Sequence, residues 1–265
     1  MISTDFTPGS PCWVEVSSPD VEASTAFYEH VFGWSSETHI RQLEGYKFLC
    51  GEGLPAAGVS PVMGESDRPS WTVYFADSDI EDTITRVERL GGTLLVEPFD
   101  IFDLGRQALF RDPQGASFGV WRGEMYLGLV GRVNSLCWVE LRTTDARGAA
   151  EFYTGVFKWD LSPFDPSLGG EEVGGYTVLR PAGTGDERTH GGILQAGPGH
   201  GGRFGGEEDW HPVFAVADCD AVARRVVAAG GRVHAAPENI PGVGRRMVCS
   251  DPFQAGFVLL NWPPG

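Results

Sequence analysis

Apolar positions along the chain fall into short alternating runs and longer runs with a spacing of three and four. Pro11–Val16 and Ser135–Leu141 read as strands, each followed by a helix that opens at Ser18/Asp20 or Thr144/Asp145, whose side-chain oxygens can cap free N–H groups. Ser24, Phe27, Tyr28 and Val31 make one helix face, and Ala149, Phe152, Tyr153 and Val156 repeat it. Trp71–Phe75 and Trp210–Ala215 are further strands, followed by helices marked by Ile80, Ile84, Val87 and by Val222, Val226, Ala229. Each of these helices ends at Gly-Gly, and two strands joined by an Asp-Pro turn complete each half.

These runs are one pattern used twice. Cys12-Trp13-Val14-Glu15 returns as Cys137-Trp138-Val139-Glu140, 125 positions on. The later match runs at 139: Trp71 with Trp210, Phe75 with Phe214, Asp112-Pro113 with Asp251-Pro252. The second copy therefore carries 14 extra residues between Trp159 and Trp210, in a Gly-rich stretch. Repetition at this scale predicts two like modules, 1–128 and 129–265, with the insertion at about 160–209.

Two modules suit 265 residues, since about 130 residues suffice for an independent core. A formal charge of −16 argues against a nucleic-acid partner. No apolar run reaches the ~18 residues of a membrane span, and the start lacks the basic and apolar parts of a signal peptide. A cytoplasmic location and no membrane partner are the expectations. Five scattered cysteines read as reduced thiols. Gly197–Gly206 lacks the Gly-Lys-Ser/Thr ending of a phosphate loop and reads as a mobile loop.

The strand followed by Asp20…Phe27-Tyr28…Phe32-Gly33-Trp34, the Asp79…Gly91-Gly92 helix and the Asp112-Pro113-Gln114-Gly115…Phe118 hairpin resemble the vicinal oxygen chelate superfamily. That is the glyoxalase, bleomycin-resistance and extradiol dioxygenase fold. The Cys-Trp-Val-Glu opening looks like that of a two-module bacterial subgroup, some members of which are labelled hydroxylases. The resemblance implies an α+β protein of tandem glyoxalase-like modules. Each module would be two βαβββ units forming a curled, cup-shaped sheet with helices outside.

It also implies three metal-ligand positions per module, and here they hold Trp13, Thr72 and Gly119, or Trp138, His211 and Val258. Only His211 is a ligand type, and one imidazole does not make a zinc or iron centre. No metal and no cofactor are therefore expected. What remains is an aromatic cavity with one carboxylate per module. Its expected ligand contacts are Trp13, Glu15, Tyr46, Trp71, Tyr74, Trp138, Glu140, Tyr176, Trp210 and His211.

Glu15 and Glu140 stand between apolar strand neighbours, which is costly for an unpartnered carboxylate. Arg106 and Arg245 are the expected ion-pair partners, and His190 and His200 are expected to be solvated. The function expected is metal-independent binding of a small aromatic or polyketide-like molecule, in sequestration, resistance or natural-product metabolism. The alternative is a lyase, isomerase or hydroxylase/dioxygenase using Glu15, Glu140 or His211, by an irregular metal site or a Glu base. The Gly-rich insertion points to the second module as the working one, and either a monomer or a homodimer is compatible with the pattern.

Overall fold

A computed structural model of the chain describes residues 2–37, 45–62, 68–123, 126–164, 175–196, 208–234 and 237–261. The Gly197–Gly206 loop and His200 lie outside the described residues. Two sheets carry the fold. The first comprises β1 (Pro11–Ser18), β2 (Ser35–Glu37), β3 (Lys47–Gly51), β4 (Leu54–Pro61), β5 (Ser70–Ala76), β6 (Thr93–Ile101), β7 (Gly105–Arg111) and β8 (Ser117–Gly123). Its order is β2-β3-β4-β1-β5-β8-β7-β6, so two βαβββ units join where β1 runs antiparallel to β5.

The second sheet repeats this plan. Its strands are β9 (Ser135–Thr143), β10 (Asp160–Pro163), β11 (Tyr176–Arg180), β12 (Gly191–Gln195), β13 (Asp209–Ala215), β14 (Arg232–Val233), β15 (Glu238–Ile240), β16 (Gly244–Ser250) and β17 (Gly256–Asn261). Their order is β10-β11-β12-β9-β13-β17-β16-β14, with β15 also on β16.

The helices are α1 (Val21–Phe32), α2 (Ile80–Arg89), α3 (Ala146–Phe157) and α4 (Cys219–Ala228). Each begins the same way. Asp20, Asp79, Asp145 and Asp218 accept from the backbone N–H three residues on, which satisfies a donor that the helix itself leaves open.

The two sheets pack on one another through β5 and β13, with α1 against α4 and α2 against α3 beside that contact. Trp71 meets Phe214 at 5.4 Å between ring centroids, and Phe75 meets Trp210 at 5.2 Å. The recurring Tyr of the first helix explains itself here. Tyr28 donates to Asp251 of the other module (3.2 Å) and accepts from the Trp71 indole (3.1 Å). Tyr153 reciprocally donates to Asp112 (3.0 Å) and accepts from Trp210 (2.8 Å). Asp112 and Asp251 in turn gather backbone N–H groups of their own Asp-Pro turns.

Each turn is thus locked to the other module's helix, and the buried side-chain polar atoms of these three-residue chains all have partners. The Gly-Gly after α2 and α4 serves the same contact. A Cβ on Gly92 would meet the Phe152 ring, and one on Gly231 the Phe27 ring.

His190, expected to be solvated, is buried against the Trp159 ring at 5.4 Å. Burial, helped by positive charge that includes Arg188, lowers its pKa to about 3. The unfolded chain binds a proton near pH 6.5 that the folded protein refuses, so folding weakens as pH falls from there toward 3. The expected slope from this one group is up to about 1.4 kcal/mol per pH unit. Denaturant titrations across that window should show His190→Leu with a shallower acid loss than the parent; an unchanged slope would contradict the assignment.

Candidate functional site

Strand alternation decides which residues reach the concave faces. Trp13 pairs with Tyr74 and Glu15 with Thr72 across β1 and β5, and Tyr74 pairs with Gly119 on β8. Trp13, Glu15, Tyr46 and Tyr74 line one cavity of about 400 Å³ in the first module. Trp71 sits three residues before Tyr74 and so turns to the other face, where it is buried against α1. Trp210 is placed likewise against Tyr153. These two indoles belong to the core between the modules and do not face a cup, a correction that strand alternation itself requires.

Two interior glycines shape the cavity floor. A Cβ on Gly58 would overlap the Tyr46 hydroxyl, and one on Gly119 would overlap the Tyr74 ring. Their absence lets both rings lie flat on the sheet. Trp121 joins the wall from β8 and Phe48 from β3, while Phe99 and Phe102 stand at the mouth, 40% and 54% exposed. None of these four was among the expected contacts. Trp121 was legible, being two residues past Gly119 on the same strand face. Phe99 and Phe102 reach the cavity only because β6 folds back along β7.

The polar centre is a chain of hydrogen bonds. The Trp13 indole donates to the Tyr46 hydroxyl at 3.2 Å. Tyr46 bonds the Glu15 carboxylate, and Ser60 donates to it at 2.9 Å. Burial pushes the Glu15 carboxyl above its ordinary value, while the Tyr46 and Ser60 bonds pull the other way. Burial also raises the Tyr46 and Tyr74 phenols, with the Glu15 charge adding to both.

The second module rebuilds this chain with one decisive change. Trp138 donates to Tyr176 at 2.8 Å, and Tyr176 bonds Glu140. Here the fourth member is Arg246, whose guanidinium reaches Glu140 at 2.6 Å. The place of Arg246 in the first module, 139 residues earlier, is taken by Gln107. Neither expected arginine pairs with these carboxylates. Arg245 bonds Asp220 of α4, and Arg106 bonds Asp100 and Glu81. Register is the reason: the inward position on β16 and β7 is one residue further along, at Arg246 and Gln107.

His211 lies beside Glu140 across β9 and β13 and is buried. Burial, with Arg142 and Arg246 adding, lowers its pKa to about 3. Val213 and Leu260 replace Tyr74 and Trp121, so this cup is less aromatic.

The fold implies a divalent metal, and the donor set does not fit one. The three ligand places hold an indole, a hydroxyl and a glycine in the first cup, and an indole, an imidazole and an isopropyl group in the second. Among the described residues, no three His, Cys, Asp or Glu side chains converge. Glu140 is already held by a guanidinium, which leaves His211 short of the three protein ligands a zinc site takes.

Paired βαβββ cups with this topology define a tandem protein of the glyoxalase kind. A family profile for the glyoxalase/bleomycin resistance protein/dioxygenase superfamily matches residues 12–120, and one for a glyoxalase-like domain matches 138–260. The anthracycline biosynthesis protein DnrV of Streptomyces peucetius is 34% identical over 99% of this chain and 96% of its own. CFP32 of Mycobacterium bovis, which carries the provisional name glyoxylase, is 34% identical over 98% of each chain.

The chain belongs to the glyoxalase/bleomycin resistance protein/dioxygenase superfamily. Its fold is shared by the Mn(II)-bound glyoxalase from Novosphingobium aromaticivorans, with a TM-score of 0.65 at 15% identity over 96% of this chain and 82% of that one. The 2,3-dioxygenase LapB from Pseudomonas sp. KL28 gives 0.61 at 14% identity over 98% and 94%. No helix among the described residues is long and apolar enough to cross a membrane.

Proposed function

We propose that the first module binds a flat aromatic or polyketide-like small molecule in its cavity, without a metal, in an accessory role in natural-product metabolism. The observation that carries this reading is the ring-walled cavity of about 400 Å³ around Trp13, Tyr46, Tyr74 and Trp121, with Glu15 at its polar centre. That volume lies in the range of small-molecule pockets, and rings of this kind stack on planar ligands. The relationship to anthracycline biosynthesis proteins supports an aromatic natural product as the ligand class. The first module takes this role in preference to the second, because among the described residues its carboxylate is met by neutral donors alone and its wall keeps Tyr74 and Trp121.

Titrating the protein with a panel of planar aromatic metabolites, and following tryptophan quenching, tests the reading. Saturable quenching by at least one compound is expected. Gly119→Val should weaken it at least tenfold, because the added side chain drives the Tyr74 ring into the cavity. Valine already stands at the matching place, Val258, so the fold accepts it there. Absence of quenching throughout the panel, or full binding by the valine variant, would sink the proposal.

A further inference from the structure

We propose that the first-module cavity selects an organic cation, a protonated amine or quaternary ammonium carried on a flat apolar body. This rests on the binding reading above and adds the charge of the ligand.

The duplication supplies the argument. Both cups contain the same Trp–Tyr–Glu chain, and in the second the carboxylate of Glu140 is completed by the Arg246 guanidinium at 2.6 Å. In the first, the donors on Glu15 are uncharged, Ser60 and Tyr46, and Gln107 stands where the guanidinium would come from. Among the described residues no lysine or arginine lines this cavity. Its other charged lining group, Asp100, is acidic too and is paired with Arg106 at 3.2 Å. A ligand cation entering here would take the role that Arg246 plays in the sister module.

The walls suit that role. Trp13, Tyr46, Phe48, Tyr74 and Trp121 line the same cavity as the carboxylate, and aromatic ring faces attract a cation by electrostatics. An anion would meet the reverse: ring faces, carboxylates and, among the described lining residues, no lysine or arginine. The direction of the Glu15 shift agrees, since a desolvated carboxyl held by the neutral donors Tyr46 and Ser60 resists ionisation and an arriving ammonium relieves it. Phe99 and Phe102 at the mouth extend the aromatic surface outward, where the flat body of the ligand would lie.

The test uses three probes with one naphthalene body: naphthylethylammonium, naphthylethanol and naphthylacetate, titrated calorimetrically into the full chain. The ammonium is expected to bind at least tenfold more tightly than the alcohol, with the carboxylate weakest. Glu15→Gln should bring the ammonium-to-alcohol ratio close to one. Gln107→Arg, which copies the second module, should do the same by supplying an internal cation, and circular dichroism confirms that both variants are folded. Equal binding of all three probes overturns the charge selection and leaves aromatic binding standing. So does a preference for the ammonium that survives both substitutions. If none of the three binds, the aromatic-binding reading fails and this inference fails with it.

Discussion

Phe214→Ala should destabilise the whole chain by about 3–5 kcal/mol, the range for truncating a buried phenylalanine. Phe214 is fully buried in the second module, yet its closest ring neighbours belong to the first: Phe32 at 5.0 Å, Trp71 at 5.4 Å and Trp34 at 5.6 Å. Truncation leaves a void that those rings cannot close without moving α1 from its hydrogen bond to Asp251. Phe75 stands in the mirror position against Phe157, Trp159 and Trp210, and Phe75→Ala should cost about as much. Exposed Phe99 is the control, with an expected change within about 0.5 kcal/mol. Chemical denaturation should give a single transition for the parent, because the two modules share this core. A loss below about 1 kcal/mol for both buried rings, or two separate transitions, would show that the modules are energetically independent.

Arg246→Gln, which writes the first module's residue into the second, should cost about 3 kcal/mol near neutral pH. The cause is less the lost attraction than the Glu140 carboxylate left behind, only 5% exposed and without its guanidinium. The variant should then resemble the first module, where burial raises Glu15. A carboxyl whose folded pKa exceeds its unfolded value stabilises fully below the unfolded pKa, and that stability is lost as pH rises through the folded one. The penalty of Arg246→Gln, measured against the parent, should therefore grow from about pH 4 toward neutrality. A double-mutant cycle with Glu140→Gln should recover much of the loss, since it removes the stranded charge. A penalty that is flat with pH, or that shrinks as pH rises, would contradict this account.

Much of the architecture was legible in the chain because it is written twice. The strand–helix order, the Asp helix starts and the Asp-Pro hairpins are local patterns, and repetition separates them from accident. The resemblance implied helices outside the cups; α1 also packs against α4 and α2 against α3, across the two modules. The candidate site was legible in part. Trp13, Glu15, Tyr46 and Tyr74 meet around one cavity, whereas Trp71 and Trp210 were drawn to it by their aromatic character against the rule of alternation.

The arginine partner was missed by one residue, from Arg245 to Arg246, because a single-position register is fixed by pairing with β17 and leaves no mark in composition. The Gly-rich insertion pointed to the second module as the working one, whereas the proposed binding lies in the first, for a related reason. The difference between the cups lies in Gln107 against Arg246, a pair that acquires meaning only when each is set beside its glutamate.

The amino-acid sequence alone determined that this is a duplicated α+β protein, that each half opens on a Trp and a Glu on the same strand face, and that of the six metal positions the resemblance implies only His211 is a ligand type. Only the folded arrangement decided which rings wall a cavity and which cement the modules, and which of two identical carboxylates is neutralised. The physical reason is range: periodicity and capping act over three or four residues, whereas charge compensation at Glu140 joins groups 106 residues apart in the chain.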